Sequence, residues 1–166
     1  MASSSFIQQP DHNGNFGWIE GNAGGTYSTN QALKVVSDNY NNFYVLCFLE
    51  NAAVIGGCNY PGGGYVIVKI NSYGKCLWSM AMPYNRYSCF IDVDYAGALM
   101  VACPDSVFKV KNNIVQWSLP VKEIKLNYKP SVSEPKSDKL GNSYFYIWGD
   151  SLKIGKTHLS AKQKSW

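Results

Sequence analysis

The chain has 166 residues, 46% of them apolar and 16% charged, which excludes intrinsic disorder and gives a domain of this length enough material for a core. Aromatic residues make up 14%, with 12 Tyr among them, and 15 glycines punctuate the sequence, a composition that favours strands and tight turns. The formal charge of +4 rests almost wholly on lysine, with Arg86 as the lone arginine, so the bidentate phosphate chemistry of a nucleic-acid site is not expected.

Taken in chain order, the opening MASSSFIQQPDHNGN has neither the basic nor the apolar segment of a cleaved signal peptide. No stretch reaches the ~20 apolar residues of a membrane-spanning helix, so membrane insertion is not expected. Phe6–Trp18 (FIQQPDHNGNFGW) reads as a hairpin closing on Trp. Ala32–Leu49 (ALKVVSDNYNNFYVLCFL) predicts two strands around a turn opened by Asp38, whose side chain can bond the backbone two residues on. Gly56–Gly64 (GGCNYPGGG) lacks the Lys-Ser/Thr of a phosphate loop and is expected to be a flexible linker. Val66–Trp78 (VIVKINSYGKCLW) repeats the Trp-closing hairpin.

Cys89–Cys103 (CFIDVDYAGALMVAC) repeats the Asp-turned pair, with Asp94 and Gly97 in matching places, and Ser106–Trp117 (SVFKVKNNIVQW) closes it. The only helical candidate, Val121–Lys129, is short and runs into Pro130. A third Asp turn is expected at Asp138, Gly141 and Asn142, and Ser151–Trp166 is the last Trp-ending segment. Together these elements predict one all-β domain over 1–166, built of β-propeller-type repeats of four-stranded antiparallel blades at about 32–78, 89–117 and 131–166. An N-terminal hairpin at 6–18 precedes them.

The run from Gly17 to Met80 resembles the bacterial-type β-propeller repeat known as the SBBP repeat, found in surface proteins and in some large DNA virus proteins. The resemblance is carried by Gly24–Gly25, Asp38 to Asn42, Tyr44–Val45, Gly62–Gly64, Val68–Lys69–Ile70–Asn71, Gly74 and Trp78. It thins towards residue 117 and is weak beyond. Cys47 stands near a place where the family prefers Gly, and the third repeat lacks most of the turn glycines. The resemblance implies a fold and a virion or surface setting, and no activity.

About three blades and a surplus hairpin are too few to close a ring, since propellers need roughly four to eight blades. The chain both starts and ends on a Trp-closing hairpin, so its termini cannot share a blade. With Met at the start and Trp at the end, assembly is favoured over a fragment, and a homo-oligomer or lattice that completes the fold is expected. The charge asymmetry agrees. Residues 1–108 carry Lys34, Lys69, Lys75 and Arg86 against seven carboxylates, whereas 109–166 carry eleven lysines against Glu123, Glu134, Asp138 and Asp150. Opposite patches suit docking of one copy, or another protein, on the next.

No catalytic or cofactor constellation is apparent, and the chain is read as a non-enzymatic structural or interaction module. His12 and His158 fall in expected turns without partners at metal-ligand spacing, and Asp92 and Asp94 do not match a calcium loop. The five cysteines (Cys47, Cys58, Cys76, Cys89, Cys103) have no CxxC spacing and are read as buried small apolar residues, with one or two disulfides left open. The alternative reading is a glycan-binding propeller, whose aromatics would lie exposed in repeated loops. The best local candidate is the loop Met80–Ser88, with Tyr84, Asn85, Arg86 and Tyr87. The recurring Trp residues are expected to pack between blades.

Overall fold

A computed structural model describes residues 5–10, 16–22, 30–82, 89–123, 131–140, 142–148, 151–154 and 157–160, and every regular element among them is a β-strand. The sheets are antiparallel, and none of them closes on itself. The chain divides into two compact units, Met1–Arg86 and Tyr87–Trp166.

In the first unit, β1 (Ser5–Pro10) and β2 (Phe16–Asn22) form the expected N-terminal hairpin. A four-stranded sheet follows, ordered β3 (Gln31–Ser37), β4 (Phe43–Leu49), β7 (Gly64–Ile70), β8 (Cys76–Ala81). Strands β4 and β7 are buried on both faces. Val45, Cys47 and Leu49 point one way with Val66, Val68 and Ile70, while Leu46 and Ile67 point the other way and are equally inaccessible. Such strands read as continuous apolar runs rather than alternating ones.

The segment between β4 and β7 is not the flexible linker its glycines suggest. It holds a short hairpin, β5 (Ala53–Ile55) and β6 (Cys58–Tyr60), turning at Gly56–Gly57. Both glycines have positive φ, +57° and +85°, as a two-residue primed turn requires. Ala53, Ile55 and Tyr60 from this hairpin cap the Val45–Cys47–Leu49 face of the sheet.

In the second unit, β9 (Phe90–Val93), β10 (Leu99–Cys103), β11 (Ser106–Lys111) and β12 (Ile114–Glu123) form the core of a six-stranded sheet. All five residues of β10 are buried. Strand β12 continues through Pro120 to Glu123, past the Trp117 at which the sequence pattern expected it to stop, and it takes up the start of the helical candidate.

The third repeat is arranged differently from the expected four-strand unit. Residues 131–148 form only two-residue ladders, β13 (Ser131–Val132) with β16 (Ile147–Trp148) and β14 (Lys136–Ser137) with β15 (Ser143–Tyr144). The last hairpin, β17 (Ser151–Ile154) and β18 (Thr157–Ser160), pairs with Val121–Glu123 of β12 instead of with β16. Pro135, which has no N–H to donate, falls between β13 and β14 and interrupts the run. Val132, Phe145 and Ile147 nevertheless pack on the second unit's core with Met100, Ala102, Val107 and Val121.

The Trp-ending segments share a register. Gln9 lies opposite Trp18, Lys69 opposite Trp78 and Lys109 opposite Trp117, and in each case a β-bulge follows immediately. The bulge places the extra residue on the Trp-bearing strand just after the turn, which increases the local twist. The fourth segment has no such pair among the described residues, where Lys153 faces His158; His158 therefore lies in a strand and not in the turn expected of it.

Candidate functional site

One five-residue turn recurs at four places, beginning at Asp38, Asn71, Asp94 and Asp138. In each, the first residue's N–H donates to the carbonyl four residues on, at 2.9, 3.0, 2.9 and 2.9 Å. The same residue's side-chain Oδ1 accepts backbone N–H groups inside the turn. Asp38 takes those of Tyr40 and Asn42, Asn71 those of Tyr73 and Lys75, Asp94 that of Ala98, and Asp138 those of Leu140 and Asn142. The fourth position needs positive φ, met by Asn41 (57°), Gly74 (80°) and Gly97 (74°). The turn at Asn71, inside the Trp-closing hairpin Val66–Trp78, is thus the same device with an amide in place of the carboxylate.

Two of these carboxylates do more than cap. The Lys69 ammonium reaches Asp38 Oδ2 at 3.0 Å and donates to Tyr44 Oη at 2.9 Å, and Lys109 reaches Asp94 Oδ2 at 2.7 Å. Both carboxylates are almost inaccessible to solvent. Burial works against their charge, but the bonds from Asn42, Lys69 and Tyr40 outweigh it at Asp38, and those from Lys109 and Ala98 outweigh it at Asp94. Both carboxyls are held below the usual carboxylate value. Burial also opposes the charge of Lys69, and its bonds to Tyr44 and Asp38 reverse that and raise its pKa. Every member is engaged in holding a turn to a strand, an arrangement that fixes structure and leaves no free acid or base.

The register Ser37↔Phe43 and Phe43↔Ile70 puts the Asp38 and Asn71 turns at one end of the first sheet. Their third residues, Tyr40 and Tyr73, are 69% and 86% exposed. In the second unit the Asp94 turn likewise presents Tyr95, and the Asp138 turn presents Leu140. Sequence reasoning missed this, although Asp-Asn-Tyr-Asn and Asn-Ser-Tyr-Gly align directly.

A second surface lies on β12. Residues 114–120 pair with β11 on one side, whereas the pairing with β17 begins only at Val121. Ile114, Val115, Trp117 and Leu119 are all exposed on this stretch. Trp78, at the corresponding place in the first unit, is partly buried and meets Tyr44 edge-on with ring centroids 5.8 Å apart. Trp117 therefore does not have the packed setting expected of the recurring Trp residues.

The first unit also has a small apolar cleft of about 100 Å³ beside β6, lined by Leu49, Tyr60, Pro61, Tyr65, Val66 and Met82. It presents no carboxylate, imidazole or thiol for chemistry. Among the described residues, no cluster of three or more His, Cys, Asp or Glu could hold a metal ion, and no helix is long and apolar enough to cross a membrane.

Tyr84, Asn85, Arg86 and Tyr87, the sugar-binding candidates from sequence, and His12 lie outside the described residues. Asp92 is drawn into the second unit's packing, where its Oδ2 accepts the Ser137 N–H at 2.7 Å. The five cysteines, read as buried small apolar residues with one or two disulfides left open, take the second course: four are paired as Cys58–Cys76 and Cys89–Cys103. Only Cys47 remains free, and burial pushes its pKa up to about 12. The pairings follow from tertiary proximity: Cys58 lies on the inserted hairpin, while Cys89 and Cys103 flank the antiparallel pair β9–β10, with Cα atoms 4.4 Å apart.

No protein-family model matches the chain, and no curated protein matches it either.

Proposed function

We propose that the chain is a non-enzymatic structural or interaction module that completes a β-propeller-like fold by homo-oligomeric or lattice assembly. The resemblance to SBBP-type repeats suggests a virion or surface component. The observation that carries this reading is the stretch 114–120 of β12, which among the described residues is paired on one side alone and displays Ile114, Val115, Trp117 and Leu119 to solvent. Exposed edges of this kind recruit further strands, and natural monomers normally blunt them with charge or cover. Here the residues between Ile114 and Pro120 are uncharged. Light scattering on the chain and on a Val115→Lys/Trp117→Lys variant tests the reading. The unmodified chain is expected to exceed the monomer mass and the variant to fall to it, while both keep the same far-ultraviolet β signal; an unchanged mass in the variant counts against the edge.

A second reading, glycan binding, gains support from the exposed Tyr40 and Tyr73 at one end of the first sheet. Their neighbours Asn39, Asn41 and Ser72 are uncharged, which suits stacking on a neutral sugar ring. A glycan array decides it. Sugar binding lost in Tyr40→Ala or Tyr73→Ala supports the platform. Loss in Tyr84→Ala or Tyr87→Ala alone places the site in the Met80–Ser88 loop, and no bound sugar removes the reading.

A further inference from the structure

The β5–β6 hairpin lies as a strap over one face of the first sheet, and its two ends are held by different means. At the base, the Asn51 N–H donates to Asn30 Oδ1 at 3.0 Å, and Asn30 Nδ2 donates back to the Asn51 carbonyl at 3.3 Å. Asn30 is fully buried, so this two-way amide clamp is shielded from water. Gly62 returns against the same point, where a Cβ would stand 2.5 Å from the Asn51 carbonyl carbon, and the Gly63 N–H donates to the Leu49 carbonyl at 2.7 Å. The tip is held by the Cys58–Cys76 disulfide and by the hydrogen bond from the Cys76 N–H to the Gly56 carbonyl at 2.8 Å, and nearer the base the Tyr60 hydroxyl donates to Cys76 Sγ at 3.8 Å. Strands of three residues are too short to keep such a hairpin in place unaided.

The two disulfides differ in access. Cys58 and Cys76 are partly exposed, whereas Cys89 and Cys103 are buried, at 5% and 0% exposure. Cys47 lies in the same apolar cluster as the first pair, but its buried thiol stays protonated and is no nucleophile. Exchange at Cys58–Cys76 must therefore start from a thiol in solvent.

We propose that Cys58–Cys76 is a redox latch whose reduction by a soluble dithiol frees the tip of the β5–β6 strap and uncovers the apolar face beneath it. In the first step a reductant thiolate attacks one sulfur and expels the other as a thiolate. The reductant's second thiol then displaces the mixed disulfide. Two electrons and two protons pass to Cys58 and Cys76, which leave as thiols, and the dithiol becomes a disulfide. Ile55, which pairs with Cys58 at the tip, then loses its fixed position over the apolar face of the sheet. The buried clamp at Asn51 keeps the base attached, so the opening is local.

The test titrates the unmodified chain with dithiothreitol, traps thiols by alkylation with peptide mass mapping, and follows backbone deuterium uptake at each step. Cys58 and Cys76 are expected to be alkylated together at about tenfold less reductant than Cys89 and Cys103, because access governs exchange. Uptake should rise over residues 53–60 while β4 and β7 stay protected, and a Cys58→Ser/Cys76→Ser variant should show that uptake without reductant. Four results would overturn the latch: alkylation of Cys58 and Cys76 without reductant, reduction of the buried pair first, unchanged uptake over 53–60, or loss of protection across the whole first unit.

Discussion

Asp38 in the first sheet and Asp138 in the segment 131–148 cap turns of the same geometry. Each Oδ1 accepts two backbone N–H groups at 2.9 Å, and each Asp N–H donates across the turn at 2.9 Å. They differ in what the second carboxylate oxygen meets. At Asp38 it accepts from Asn42 Nδ2 and also meets the Lys69 ammonium from the third strand of a buried sheet; at Asp138 it accepts from Asn142 Nδ2 and the exposed Tyr144 hydroxyl, both within the same hairpin. A turn sequence thus sets local geometry in both places, and only the strand that crosses behind it ties the turn to a core. The strands flanking Asp38 run seven residues each and those flanking Asp138 two, in keeping with that difference.

The largest effect that would sharpen this comparison is expected from Asp38→Ala. It removes charged hydrogen bonds and leaves Lys69, still bonded to the Tyr44 hydroxyl, without its counter-charge, a loss of about 3 kcal/mol by the usual cost of stranding a buried charge. Asp138→Ala should lower stability far less, since its bonds are exposed and compete with water. Urea unfolding of the two variants measures both. Equal losses would break the comparison and place the stability in the turn itself.

A smaller effect is expected from pH. The carboxyls of Asp38 and Asp94 titrate lower in the folded chain than in the unfolded one, so their contribution is present above the ordinary value near ~4 and disappears as pH falls through the folded values. Lys69 titrates higher when folded, so its contribution is present below the ordinary lysine value near ~10.4 and is lost as pH rises through its folded value. Thermal melts should therefore be flat at mid-range pH and fall at both ends. Asp38→Asn/Asp94→Asn, which keeps an oxygen cap and drops the ion pairs, should start lower and show a shallower acid limb. An acid limb as steep as that of the unmodified chain would assign it to other carboxylates.

Much of this architecture was legible in the sequence because its cues are local. Asp38, Asp94 and Asp138 announced their turns through a side chain that bonds its own backbone, and the apolar runs beside them were strands for want of helical periodicity. The β5–β6 hairpin was also within reach, since Ala-Val-Ile, Gly-Gly and Cys-Asn-Tyr make two short strands about a two-residue turn. The glycines on either side instead suggested a linker. Other features were not legible, for a physical reason. The Asn30–Asn51 clamp, the Asp38–Lys69 and Asp94–Lys109 pairs and the two disulfides join residues that only tertiary packing brings together. Pairing of the last hairpin with β12 is a choice between competing edges, which depends on register and not on composition.

The assembly reading rests on the stretch of β12 that has no strand partner on its second side among the described residues, and its most direct test is sedimentation velocity of the unmodified chain across a micromolar concentration series. The account predicts a species larger than 18.5 kDa whose share grows with concentration. A well-folded monomer at every concentration would contradict it.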